Sequence, residues 1–97
     1  MIKYLVVDGN LHGTGIRDYY NGGYIEPETL GLDLEIIQRI YKWVCLYEDE
    51  HYNNFENKNI IKQLDDEGKE IAVLIKKELK GSKVSYFSSA LLATSII

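Results

Sequence analysis

The chain is poor in cysteine and histidine and has no long apolar run, and each scarcity excludes a class of protein. Its single cysteine, Cys45, cannot form an internal disulfide, and its place in an apolar helical pattern predicts a small buried side chain in a reducing compartment. With only two histidines, a zinc site is not expected. The apolar stretch ALLATSII is much shorter than the roughly 20 residues that cross a membrane, and the first residues lack a secretory pattern. We therefore expect a cytoplasmic protein without a metal, another cofactor or a membrane partner.

Basic residues are also in the minority. Eleven Lys and Arg face 15 Asp and Glu, which gives a net charge of -4 and argues against a nucleic-acid partner, because phosphate backbones are held by clustered cations. A basic protein is the more natural partner. Hydrophobic residues make up 45% of the 97 residues, enough for a folded chain, and the length predicts one domain spanning residues 1–97.

The first third of the chain combines one strand signal with a long loop. Residues 2–7, IKYLVV, predict a strand that ends at the turn signal Asp8-Gly9-Asn10. Residues 9–32 have no helical period and predict a loop. Within it, Asn21-Gly22-Gly23 suits the turn of a hairpin, so we expect IRDYYNGGYI to form an ordered hairpin or tight loop packed on the domain.

Two helices and a second strand are predicted after this loop. Asp33 is a suitable cap for the first helix, and Asn57 or Asn59 for the second. The first helix is expected to bury Ile36, Ile37, Ile40, Val44 and Tyr47, with Trp43 beside them, and the second Ile60, Leu64, Gly68, Ile71, Ala72, Ile75 and Leu79. Gly81 marks the end of the second helix. The alternating residues KVSYFSS then predict a strand.

The order strand, loop, helix, helix, strand predicts an α+β fold. Two helices between the strands would return the chain for a strand antiparallel to the first, so we expect a small single-layer antiparallel sheet with a two-helix hairpin packed on one face. No internal repeat interrupts this pattern.

The segment DGNLHGTG, which follows the first strand, has three candidate roles. Its glycines can cradle a phosphate, but they lack the spacing of known phosphate loops. VVDGN resembles the opening of PIN-type nucleases, in which an aspartate at a strand end helps to hold a metal. Asp8 would be that ligand, although an Asp-Gly turn that closes the strand is the favoured explanation. Finally, Asp8, His12, Arg17 and Asp18 could supply the acid, base and charge clamp of a small hydrolase or nuclease.

Eight tyrosines and several acidic runs favour a different function. Tyrosines are enriched at protein interfaces because they offer a rigid apolar ring with a polar tip. If the tyrosines of the loop lie near its carboxylates, they form a surface for a partner that carries Lys and Arg. The predicted partner-binding residues are Asp18, Tyr19, Tyr20, Tyr24, Glu26 and Glu28.

The segments GTGIRDYYNGGYIEPETLGL, YEDEHYNNF and LDDEGKEIA resemble small acidic bacterial proteins, some of which are immunity proteins of contact-dependent inhibition and related polymorphic toxin systems. Those proteins share no diagnostic motif, so the resemblance assigns no site residue. It implies a non-enzymatic inhibitor that binds and neutralises one cognate toxin, commonly a basic nuclease. The leading expectation is therefore an immunity protein, and the alternative is a hydrolase or nuclease that uses the glycine-rich loop.

Overall fold

The computed structural model describes residues 3–97, and within them the chain forms a four-stranded sheet with two long helices. Ile2, the first residue of the predicted strand, lies outside this range. A short 3-10 helix, Pro27–Leu30, precedes the long helices. The strands and long helices are β1 (Tyr4–Asp8), β2 (Ile16–Asp18), α1 (Leu34–Tyr52), α2 (Lys58–Glu78), β3 (Lys83–Ser88) and β4 (Ala93–Ile96).

The predicted helix caps are confirmed. The Asp33 side chain accepts a hydrogen bond from the backbone N–H of Glu35, and Asn57, rather than Asn59, accepts one from Ile60. Each cap satisfies a backbone donor that the first turn of a helix leaves without an intrahelical partner. The local sequence therefore determines where both helices begin.

The fold is α+β, but the sheet is mixed and not antiparallel. Its strand order is β2-β1-β3-β4, and β3 runs parallel to β1, whereas β2 and β4 are antiparallel to their neighbours. The predicted orientation of β3 was wrong because β2, hidden in the presumed loop, reverses the chain once before the helices. The helix pair then returns the chain to the end of the sheet where β1 begins, and β3 must run parallel to it.

Both helices pack on one face of the sheet, as predicted. Leu5, Val7 and Ile16 join the core from β1 and β2, and Val84 and Tyr86 join it from β3. Because side chains alternate along a strand, the opposite face carries Tyr4, Val6, Arg17, Ser85 and Phe87. No described helix packs on this face, although Val6 and Ser85 are buried there.

Two expectations about burial were wrong. Cys45 is exposed, because it follows Val44 on α1 and a rotation of about 100° per residue carries it off the buried stripe. Ile60 is 38% exposed, and the neighbouring Ile61 is buried in its place.

The other predicted contacts of α2 include Gly68, where an added Cβ would lie 2.2 Å from Cε1 of Tyr86, so the helix and the sheet can approach only because this residue is glycine. No helix among residues 3–97 is long and apolar enough to cross a membrane.

Candidate functional site

Asp8, at the end of β1, ties the long loop to the sheet. Its carboxylate is completely buried and accepts hydrogen bonds from Nε of Arg17 at 2.8 Å, Oη of Tyr24 at 2.7 Å and the backbone N–H of Asn10 at 3.1 Å. Burial, together with the hydrogen bond to Asp8, raises the pKa of Tyr24 to about 12. The Arg17 guanidinium compensates the buried charge, so Asp8 has a complete structural role as the anchor of the loop.

The four residues of the enzymatic alternative do not all meet. Asp8 and Arg17 form an ion pair, but the Asp18 carboxylate accepts hydrogen bonds from the backbone N–H of Tyr20 at 2.8 Å and from the Asn21 side chain at 3.4 Å, which closes a turn. His12 is exposed, and no hydrogen bond within residues 3–97 links it to the other three. In the part of the chain that the structure describes, no cluster of three His, Cys, Asp or Glu side chains could hold a metal ion.

The glycines after β1 are required by close packing. A Cβ added at Gly9 would lie 2.7 Å from the Tyr47 ring, and one added at Gly13 would lie 2.6 Å from the Tyr24 ring. Both distances are shorter than a carbon contact allows, so a larger side chain at either position would force the neighbouring tyrosine ring to move. The loop therefore lies against aromatic side chains, which accounts for its glycines without a bound phosphate.

Four tyrosines gather on and beside the uncovered face of the sheet, and we call Tyr4, Tyr19, Tyr20 and Tyr24 the tyrosine surface. The rings of Tyr4 and Tyr19 are stacked with centroids 4.1 Å apart, and Tyr20 meets both rings edge-on at 6.1 and 5.7 Å. The exposed fractions of Tyr19, Tyr20 and Tyr24 are 56%, 67% and 38%. All three predicted tyrosines thus carry large exposed apolar area, and Tyr4 is a fourth member that the sequence did not reveal.

A hairpin holds these rings in place. The backbone N–H of Asp18 donates to the carbonyl of Gly23, that of Gly22 donates to Asp18, and Tyr24 forms a bridge with Arg17. Gly22 has a φ of 76°, a left-handed conformation that favours glycine. The structure thus contains the predicted hairpin, and its β2 arm brings Tyr19 beside Tyr4 because the backbone N–H of Tyr19 donates to the Tyr4 carbonyl at 2.9 Å.

The predicted carboxylates surround the tyrosines unevenly. Asp18 belongs to the turn that carries Tyr19 and Tyr20, and Glu26 is exposed just after Tyr24. Glu28 instead accepts a hydrogen bond from Oη of Tyr41 on α1, and this bond raises the pKa of Tyr41 to about 12. Asp18 therefore lies in the turn that carries Tyr19 and Tyr20, whereas Glu26 and Glu28 both lie near Tyr41 of α1.

A second buried carboxylate, Asp65, belongs to α2 and contacts β3 in the core. Its side chain accepts hydrogen bonds from the hydroxyls of Tyr47 at 2.9 Å, Tyr86 at 2.6 Å and Ser88 at 2.8 Å. Burial raises the pKa of both tyrosines, and the hydrogen bond to Asp65 raises them further. Asp65 was not among the residues predicted from the sequence, although its spacing of four from Ile61 and three from Gly68 places it on the buried side of α2.

Comparisons of the chain with protein-family models, curated proteins and solved structures found no match. The resemblance to immunity proteins accordingly stays a prediction.

Proposed function

We propose that this protein is a non-enzymatic inhibitor that binds a basic protein through the tyrosine surface. One observation carries the proposal: the rings of Tyr4, Tyr19 and Tyr20 are already packed against one another on a sheet face that no described helix covers. Exposed aromatic groups of this kind are typical of the centres of protein interfaces.

The stacking favours affinity because it reduces the entropy lost on binding. A tyrosine has few rotatable bonds, and a ring that already contacts its neighbours loses less freedom when a partner covers it. The ion pair between Asp8 and Arg17 and the hydrogen bond from Tyr24 to Asp8 hold the base of the hairpin in the same way. A partner would therefore meet a preformed surface.

Charge supports a basic partner. The net charge is -4, Asp18 belongs to the turn that carries Tyr19 and Tyr20, and Glu26 is exposed two residues after Tyr24. Carboxylates at the rim of an interface attract a positively charged partner during the encounter, and this effect weakens as salt is added. Aromatic contacts would supply most of the affinity, and the carboxylates most of the association rate.

The specific form of the proposal comes from the resemblance to immunity proteins: a cytoplasmic protein that neutralises one cognate toxin, such as a nuclease. Nucleases bind a polyanion and so carry a basic active site, which an acidic surface can cover. No cofactor is needed for such a role. The enzymatic alternative has no comparable support, since His12 and Asp18 make no hydrogen bond to the Asp8–Arg17 pair within the described residues.

The test begins with the basic protein, if there is one, that is encoded next to this chain. We expect the purified pair to form a complex that abolishes the partner's toxic or nuclease activity, with an association rate that falls as salt is raised. Replacing Asp18 and Glu26 with Asn and Gln should slow association and flatten its salt dependence, whereas Glu35→Gln, a matched exposed change on α1, should do neither. A complex that leaves the partner fully active would contradict the inhibitor role.

A further inference from the structure

A groove between α1 and α2 has properties that neither the core nor the tyrosine surface explains. It has a volume of about 630 Å³, and the exposed Leu46 and Ile60 form its apolar walls above Trp43 and Leu64. At one end Arg39 forms an ion pair of 2.6 Å with Glu67. The opposite end has a different character, because Asp49 and Glu50 line it and neither forms an ion pair within residues 3–97.

Glu50 is the most informative residue of this groove. Its exposed fraction is 6%, yet its side chain has one hydrogen bond among the described residues, a 3.4 Å contact from the Asn53 amide to Oε2. No completely buried side-chain oxygen of the described chain lacks a partner, so Oε1 keeps its accessible surface in the hollows that Glu50 lines. Glu50 thus presents an accessible carboxylate oxygen to the groove with no cation paired to it among the described residues, and a cation placed there would gain a charge-assisted hydrogen bond.

The position of Glu50 on α1 points to the same kind of ligand. Asp49 and Glu50 lie in the last turn of a helix that ends at Tyr52, where the backbone carbonyls carry partial negative charge and favour cations. A neighbouring hollow of about 440 Å³ shares Glu50 and adds Glu56. Asp49, Glu50 and Glu56 thus lie near the negative end of α1, and no ion pair of the described chain neutralises them. The basic residue of the last turn, His51, instead contacts the Gly9 carbonyl.

We propose that this groove is a second binding site, for a cationic amphipathic segment of a protein, with an arginine or lysine side chain against Glu50 and apolar side chains between Leu46 and Ile60. Charge complementarity selects the occupant, because the lining carries three carboxylates against two cations and its unpaired carboxylates lie together at one end. The apolar walls select against a small hydrophilic cation. The site uses different residues from the tyrosine surface, so it stands or fails independently of the function proposed above.

The test uses two short peptides, acetyl-Leu-Leu-Arg-amide and the same peptide with citrulline in place of arginine. Citrulline keeps the shape of arginine and removes its charge. Trp43, the single tryptophan of the chain, lines the groove and reports binding by fluorescence, and amide chemical shifts show where each peptide lies. We expect the arginine peptide to bind about tenfold more tightly than the citrulline peptide, the effect of one charge-assisted hydrogen bond.

Substitutions decide whether Glu50 is responsible. Glu50→Gln should remove the preference for arginine, whereas Glu48→Gln, two residues away on the same helix but outside the groove lining, should keep it. If Glu50→Gln does not fold, Leu46→Lys serves instead, because it places a competing cation at an exposed position of the wall. Equal affinity for the two peptides, no binding of either, or shifts confined to residues outside the groove would each overturn the proposal. Tyr20→Ala should leave the peptide affinity unchanged, which separates this site from the tyrosine surface.

Discussion

At the scale of single residues, Asp65 is a buried carboxylate that is held by hydroxyl groups and not by a cation. Its carboxylate meets three hydroxyl donors, and no ion pair reaches it within the described chain. All three hydroxyls donate to it, so the network depends on Asp65 as its common acceptor. Removing that acceptor takes one hydrogen bond from each of three buried hydroxyls; Tyr47 and Ser88 keep a 3.3 Å contact with each other, whereas Tyr86 has no other hydrogen bond among the described residues. An unsatisfied buried hydroxyl costs free energy.

We predict that Asp65→Ala lowers the free energy of unfolding by about 3 kcal/mol or more. Asp66→Ala is the matched control, because Asp66 is the next residue of α2 but lies in an exposed ion pair with Lys62. Such pairs contribute less than about 1 kcal/mol. Urea denaturation of both variants measures the difference, and similar midpoints would show that the network does not stabilise the core.

The exposure of Cys45 and the burial of Asp65 show where sequence reasoning at single positions fails. Residue type alone favours a buried cysteine and an exposed aspartate. The helix rotation relative to the sheet decides both cases, and that rotation depends on packing across the whole domain. Tyr4 was missed for a similar reason, since its stacking partner Tyr19 adjoins a three-residue strand that forms only next to β1.

The secondary-structure elements differ in how much of each is encoded locally. Asp33 and Asn57 cap the two helices through hydrogen bonds to residues two and three positions further on. Because these contacts are local, the first residue of each helix could be predicted. The strands β2 and β4 have three and four residues, too short for a pattern of alternation, and they form by pairing with β1 and β3. Missing β2 also reversed the predicted direction of β3.

The contact between α2 and β3 gives a prediction at Gly68. Alanine is favoured over glycine in a helix by about 1 kcal/mol, but a Cβ here would lie 2.2 Å from Cε1 of Tyr86 and 2.8 Å from Cζ2 of Trp43. We expect Gly68→Ala to destabilise the protein by about 2 kcal/mol, because two completely buried rings would have to move. Lys69→Ala, the exposed neighbour, should be nearly neutral. Thermal unfolding followed by circular dichroism compares them, and a stabilised Gly68→Ala would contradict the close approach.

For the whole molecule, the buried tyrosines predict how stability depends on pH. Burial raises the pKa of Tyr47 and Tyr86, and that of Tyr24 to about 12. In the unfolded chain a tyrosine loses its proton near pH 10. The folded state therefore holds more protons above that pH, so the stability these groups contribute is complete below pH 10 and is lost as the pH rises toward 12.

We predict that the urea midpoint falls steeply when the pH is raised above about 10. Tyr24→Phe should make the decline shallower, but by less than the roughly 1.4 kcal/mol per pH unit of one fully linked proton, because Tyr24 is 38% exposed and solvent screens its hydroxyl. The same titration followed by tyrosinate absorbance shows whether proton loss accompanies unfolding. A midpoint that is constant over this range would mean that these hydroxyls are not buried as described.

The central claim is that the tyrosine surface is the interface, and the dissociation rate of the complex with the basic partner tests it most directly. Tyr20 and Tyr52 are both highly exposed, at 67% and 68%, but Tyr52 lies at the far end of α1, outside the tyrosine surface. Surface plasmon resonance should show that Tyr20→Ala speeds dissociation by a factor that corresponds to about 2 kcal/mol, roughly thirtyfold, whereas Tyr52→Ala leaves it unchanged. Equal dissociation rates for Tyr20→Ala, Tyr19→Ala and the unaltered protein would show that the partner binds elsewhere.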